Sequence, residues 1–244
     1  MNEPANPKAA RRIDLISYHA DVFRNFATLH PTQELTNDLA ANPRDQEILK
    51  CFFYQGGEGQ IRSKVERVLR KSERQIVQDE ISAKFNPQNW YATRYSDGTW
   101  GLLYSAEWEI TALKEAVFHM RAFYREELLK KEVTVDRCVV CLGLNSNSCA
   151  DLTGDTTLER DKLISKDKSG YPYCQSLAQK LTGQGAELLR TPSARDSGGV
   201  CVPIFKRGVI HKDHGPMKYL KCVLSKEGTR IFGEDQWVPL EPDG

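Results

Sequence analysis

Arg94-Tyr-Ser-Asp-Gly-Thr-Trp-Gly-Leu-Leu-Tyr104-Ser-Ala-Glu-Trp-Glu-Ile-Thr-Ala-Leu-Lys-Glu115 is the stretch that decides the reading of this chain. Trp90 to Tyr95 and Trp100 to Ser105 read as two strands around a Ser96-Asp97-Gly98 turn, because aromatic and aliphatic residues flank a turn-forming triplet. Ile110, Leu113, Val117, Met120 and Tyr124 then recur at helical spacing and mark a long amphipathic helix ending near Lys131. Arg94, Tyr104 and Glu115 stand at the ends of short apolar runs. That is where a folded chain delivers polar side chains into a cleft.

Downstream, Val133 to Leu144 is a strand rich in β-branched residues. Tyr171 to Leu181 repeats a helical pattern through Cys174, Leu177, Ala178 and Leu181, with Gly183 just past its end. Strands are expected at 186–190, 199–205, 217–224 and 236–240. Upstream, Ile61, Val65, Val68, Leu69, Ile76, Val77 and Ile81 predict a helix from Gln60 to about Lys84, broken around Ser72 and ended by Asn86-Pro87. Asp45 to Tyr54 reads as a helix stopped by Gly56-Gly57, and residues 1–12 as a frayed polar end. Strands and helices follow in irregular order without βαβ alternation, and no internal repeat is present, so the fold class is α+β. The expected organisation is a mainly helical N-terminal extension over 1–87, packed on a main domain over 88–244.

The 244 residues balance 34 basic against 33 acidic side chains, a net charge of +1 that gives no global pull toward nucleic acid or anionic membrane. Hydrophobic residues at 40% and charged residues at 27% describe an ordinary globular chain. No apolar run approaches the roughly 20 residues that span a bilayer, and the N-terminus carries no apolar signal segment. The reading is a soluble, cytoplasmic protein with no membrane partner. Seven cysteines at irregular spacing fit reduced thiols in a core better than a disulfide framework.

Several motifs divide between plain and functional readings. Six basic residues between 62 and 74 on the upstream helix form either a solvated face or a docking surface. No aromatic residue interleaves with them, which argues against a nucleic-acid platform. Gly56-Gly-Glu-Gly59 lacks the Gly-Lys-Ser/Thr of a phosphate loop and reads as a helix stop and start. Cys138-Val-Val-Cys141 sits in a β-branched run and His211-Lys-Asp-His214 reads as a solvated loop, so no metal site is assigned. Glu115 lies among Leu113, Val117 and Met120, where a carboxylate needs a partner. The plain alternative is an Arg94–Glu115 ion pair fastening helix to sheet, with Tyr104 a core aromatic. Ser193 follows Pro192 at a strand exit and leads through Arg195 to Gly198-Gly199. It lacks a nucleophile elbow and suits holding a phosphate or ribose oxygen.

Taken together, Arg94-Tyr-Ser, Leu103-Tyr-Ser-Ala106, Thr111-Ala-Leu-Lys-Glu115, Cys174-Gln-Ser-Leu-Ala178 and Gly185-Ala-Glu-Leu-Leu-Arg-Thr-Pro-Ser-Ala-Arg195 resemble the RES domain over roughly residues 88–240. This bacterial family is named for its arginine, glutamate and serine. The separations of ten from Arg94 to Tyr104 and eleven from Tyr104 to Glu115 look like those of the family.

The resemblance implies an ADP-ribosyltransferase-like fold with a split mixed sheet around a cleft for NAD. It implies cleavage of the nicotinamide–ribose bond by a glycohydrolase or phosphorylase, often as the toxin of a toxin–antitoxin pair. Arg94 would contact the phosphate or ribose region, Tyr104 would pack near the nicotinamide, and Glu115 would bind the ribose hydroxyls and stabilise the cationic sugar. Ser193 would lie in the binding cleft, and Arg24, in Val22-Phe-Arg24, would be the arginine of the family's first strand. The chain departs from the pattern at Ala92-Thr93, where many members have two glycines, and in the long interval before Arg94. NAD is then substrate rather than cofactor, and an antitoxin protein or a second copy of the chain is the protein partner to consider. The other readings are transfer of ADP-ribose to a macromolecule, or a non-enzymatic nucleotide-binding or partner-docking module.

Overall fold

The computed structural model describes residues 13–27, 72–128, 132–233 and 237–240. Its centre is the pairing of β1 (Leu15–Ala27) with β5 (Val133–Asp151). In β1, Tyr18, Val22 and Phe26 fall on one face and are buried together, as the two-residue period of a strand requires, while Phe23 packs on the other face. In β5, Cys138, Val140, Leu142 and Leu144 join the first cluster and Val139 the second. A strand covered on both faces needs apolar residues at successive positions, and this run supplies them.

The two covers are helices. α1 (Glu73–Lys84) is capped by Ser72, whose hydroxyl accepts from the Gln75 N–H at 3.2 Å, and it buries Ile76, Val77 and Ile81 against the first cluster. α2 (Glu109–Leu128) buries Leu113, Val117 and Met120 against Val139, Cys222 and Leu224 on the opposite face. A third cluster gathers Cys174, Ala178 and Leu181 of α4 (Tyr171–Gly183), which follows the short α3 (Arg160–Leu163), around Leu152, Leu189 and Tyr95.

The remaining strands are β2 (Ala92–Thr93), β3 (Ser96–Asp97), β4 (Leu103–Ala106), β6 (Leu188–Pro192), β7 (Val200–Ile204), β8 (Ile210–Leu224), β9 (Thr229–Phe232) and β10 (Trp237–Leu240). The large sheet is mixed and runs β1-β4-β7-β6-β5-β8-β9-β10, with β1 also paired to β5. Strands β1, β4, β7, β6 and β5 therefore close into a ring, and β5 divides its second edge between two neighbours. Residues 149–151 pair in parallel with β6, whereas residues 133–144 pair with β8. The ring is weakest where β1 meets β4, through the single register pair Phe23↔Ala106. Beyond that pair the two strands part, and a cavity opens between them.

The structure corrects several expectations. The described N-terminal residues 15–27 form a central strand of the sheet rather than part of a helical extension. The basic positions 62–71, the 45–54 helix and Gly56–Gly59 lie outside the described residues. The chain around Arg94 forms no long strand: Thr93 pairs with Ser96, and Arg94-Tyr95 is the turn. Polar side chains take the backbone bonds that a ladder would have used, with the Ser96 hydroxyl donating to the Trp100 carbonyl and Asp97 accepting from the Thr99 N–H. Residues 211–214, expected as a loop, belong to β8, where His214 opposes Cys141. β5 runs on to Asp151, and β9 was not anticipated.

Candidate active site

A cavity of about 690 Å³ lies at the parting of β1 and β4. This is in the size range of small-molecule and cofactor sites. One wall is a stripe of α2. Ala112, Glu115, Ala116, His119 and Phe123 line the cavity at spacings of three and four, adjacent to the core stripe of Leu113 and Val117. Arg24, Arg94, Tyr104 and Glu115 all line it, so four of the five candidate residues share one cavity. Ser193 stands just behind the wall.

Glu115 is held through a single oxygen. Its Oε1 accepts from the Ser193 hydroxyl at 2.6 Å, the Ala194 N–H at 3.2 Å and the Cys201 thiol at 3.5 Å. Burial pushes the Cys201 thiol well above its ordinary pKa, and the Glu115 charge adds to the rise, so the group is a neutral S–H donor. Oε2 has no hydrogen-bond partner among the described residues. The carboxylate is thus fixed on one side and open on the other.

The loop that delivers Ser193 is itself clamped. The Ser193 hydroxyl accepts from the Arg195 and Asp196 N–H groups, and the Asp196 carboxylate takes the Thr111 hydroxyl at 2.5 Å and the Lys114 ammonium at 2.6 Å, both from α2. Gly198 has φ +85°, which favours glycine, and a Cβ on Gly199 would come within 2.7 Å of the Thr111 hydroxyl. The Gly198-Gly199 pair is what lets the loop close onto the helix.

Arg94 and Glu115 make no ion pair. The Arg94 guanidinium donates to the carbonyls of Leu163 at 3.0 Å and Ser165 at 2.7 Å and to the Ser165 hydroxyl at 3.1 Å, and it stacks over the Tyr171 ring. Tyr104 anchors the same turn from below: its hydroxyl donates to Thr93 Oγ1 and accepts the Tyr95 N–H, each at 3.1 Å. Burial pushes its pKa up, so the phenol stays protonated. The Gln175 amide of α4 completes the clamp by donating to the Thr93 and Ser96 carbonyls. Thr93, where the resembled pattern has glycine, therefore supplies an acceptor. Arg24 donates to the Tyr104 carbonyl at 2.9 Å and to Glu80 at 2.6 Å.

The charge of the cavity is one-sided. Arg24, Lys84, Arg94, Arg137, Lys168 and Arg195 line it, and Glu115 is the one carboxylate among its described lining residues. Among the described residues no cluster of His, Cys, Asp or Glu is suited to a metal ion, and no helix is long and apolar enough to cross a membrane.

Residues 64–220, well over half of the chain, match the family described as the RES domain. The chain belongs to the RES-domain family. The match begins upstream of residue 88 and takes in α1, which shares the core with β1. No curated protein matches this RES-domain chain. Among solved structures it is similar to one described as the M. tuberculosis MbcT–MbcA toxin–antitoxin complex, with a TM-score of 0.44 and 13% identity, covering 93% of this chain and 87% of that one.

In this RES-domain chain, sequence reasoning did not single out the Ala194 N–H, Cys201, Asp196 or Gln175 as site residues. Gln175, Thr111 and Ala194 stand inside the stretches that resemble the RES domain, which is the signal available for them. Nothing in the sequence marks Cys201.

Proposed function

We propose that this protein degrades NAD by cleaving the nicotinamide–ribose bond, as a glycohydrolase or phosphorylase, and that it acts as the toxin of a toxin–antitoxin pair. The observation that carries the reading is Glu115, a carboxylate fixed through Oε1 with Oε2 open, in a cavity whose other described arginine, lysine and carboxylate side chains are all cations. A dinucleotide's phosphates suit the cations, and a sugar that becomes cationic suits the lone carboxylate. The parting of the sheet beside the cavity supports an ADP-ribosyltransferase-like reading of the fold.

The chemistry asks little of an acid. Nicotinamide in NAD is a pyridinium, so when the C1′–N bond breaks its electron pair returns to the ring nitrogen and neutralises it. The sugar left behind resembles an oxocarbenium ion, the species that carboxylates stabilise in glycoside cleavage. Water or phosphate then adds at C1′. In this reading Glu115 Oε2 faces the sugar, Ser193 positions Glu115, and the ring of Tyr104 offers an apolar surface to the nicotinamide. The guanidinium of Arg94 already binds the 162–165 backbone, so it shapes the wall and contributes field rather than a free fork.

The test is incubation with NAD, with and without phosphate, and quantification of nicotinamide, ADP-ribose and ADP-ribose-1-phosphate. Label retained on a macromolecule would indicate transfer instead. NAD bound without any nicotinamide release would overturn the enzyme in favour of a binding module. Ser193→Ala removes the shortest bond to Glu115 while leaving the Ala194 N–H. Its kcat for nicotinamide release is expected to fall about tenfold or more, since a hydrogen bond to a charged group contributes about 1.5–3 kcal/mol. Steady-state kinetics check this, and an unchanged kcat would show that Ser193 does not position the carboxylate.

A further inference from the structure

We propose that Asn25, Lys84 and Arg137, beside Arg24, form a phosphate-binding subsite at the β1 edge of the cavity, distinct from the Glu115 centre. The inference does not depend on bond cleavage, only on the recognition of a phosphate or pyrophosphate group.

All four side chains line the cavity. Asn25 is 5% exposed, and its Oδ1 accepts from Arg137 Nε at 2.7 Å. Because Arg137 is a donor, the atom facing it must be the amide oxygen, which fixes the orientation of the amide group. The Asn25 Nδ2 is then a buried donor with no acceptor, as is the Nε of Arg24. Buried donors are ordinarily paired, and each exception calls for an explanation. The two terminal nitrogens of Arg137 have no hydrogen-bond partner among the described residues. On the other side of β1, Glu80 accepts from Arg24 at 2.6 Å and lies 3.6 Å from the Lys84 ammonium.

The charges do not cancel: three cations share one carboxylate. Burial lowers the pKa of Lys84, partly offset by Glu80, and Arg24 lowers it further. Burial and Arg24 likewise lower the pKa of Arg137. A dianion at the open edge of β1 would relieve that mutual repulsion and offer an acceptor to the unpaired donors of Asn25 and Arg137. Planar guanidinium groups with an amide N–H match phosphate oxygens through charge-assisted bonds. β1 also parts from β4 here, so the edge of residues 24–27 away from β5 faces no described strand.

Calorimetric titration of the full chain with inorganic pyrophosphate, and separately with ADP, tests the subsite. The wild type is expected to bind pyrophosphate, with affinity falling as salt rises. Asn25→Asp keeps an oxygen for Arg137 but replaces the free donor with a negative oxygen, and Lys84→Gln removes one charge from a side chain that is partly exposed and safe to alter. Each is expected to weaken pyrophosphate binding about tenfold or more, the scale of one charge-assisted bond, whereas Glu115→Gln, which removes a negative charge from the cavity, does not weaken it. Parallel weakening of ADP binding assigns the subsite to the phosphates of a nucleotide. Unchanged ADP binding with lost pyrophosphate binding assigns it to a free anion. Absence of pyrophosphate binding in the wild type, or wild-type affinity in both Asn25→Asp and Lys84→Gln, overturns the proposal.

Discussion

Glu115→Gln is expected to lower the rate of nicotinamide release from NAD by about 10²–10³, the usual cost of removing one electrostatic partner of a transition state. The glutamine is nearly isosteric, and its oxygen can still accept from the Ser193 hydroxyl and the Ala194 N–H. What disappears is the negative charge facing the sugar. Glu115 is the single carboxylate among the described residues lining the cavity, so no neighbour substitutes for it. KM should move little, because the cations that would hold the phosphates are untouched, and the melting temperature should stay near that of the wild type. Single-turnover kinetics alongside a thermal melt would separate these effects. A folded Glu115→Gln protein that keeps more than about a tenth of the activity would rule out the carboxylate as the stabilising group.

Gly170→Ala is expected to be a strongly destabilising small substitution. Gly170 precedes α4, and its φ of −79° is open to any residue, so the difficulty is space rather than backbone strain. A Cβ there would lie 2.1 Å from the Lys162 carbonyl oxygen and 2.5 Å from the Ser165 hydroxyl. Those atoms belong to the segment that receives the Arg94 guanidinium. Relief requires the backbone to move, carrying the Arg94 acceptors with it. Overpacking of this kind costs about 1–3 kcal/mol or more, equivalent to a fall in Tm of roughly 2–12 °C for a chain of this size. NAD turnover should fall with it, as the wall behind Tyr171 shifts. Differential scanning calorimetry gives the first number, and a wild-type Tm would mean that the 162–170 turn yields without strain.

Much of the cavity's wall was legible in the sequence. Arg94, Tyr104 and Glu115 were visible because polar residues interrupted apolar runs at fixed separations, and all three line one cavity. The apolar stripe of α2 was equally plain. The partner of each polar group was not legible, because every one is distant along the chain. Arg94 reaches residues 163–165, Glu115 reaches 193–201, and Asn25 reaches Arg137. An Arg94–Glu115 ion pair was a reasonable alternative from composition, yet backbone carbonyls and a serine took those positions. The reading of β5 stopped at Leu144, before the polar run Asn145-Ser-Asn-Ser148. That run is nevertheless strand, because β1 supplies an edge alongside it and the Ser146 hydroxyl is occupied by Glu187. Turn-like composition yields to strand geometry once a neighbouring strand takes the backbone bonds.

The central pairing also governs when the protein can come into being. Ala27 opposes Arg137 and Leu15 opposes Ala150, so the first strand lacks its main neighbour until more than half of the polypeptide has been made, β4 offering it only the pair Phe23↔Ala106 before then. Cys201, which touches Glu115, lies in β7, later still. At a synthesis rate of about 5–20 residues per second, the emerging chain spends roughly 10–40 s without a pocket. A ribosome-bound fragment lacks the complete surroundings of Glu115 throughout that interval, and a product truncated before residue 200 would never acquire them.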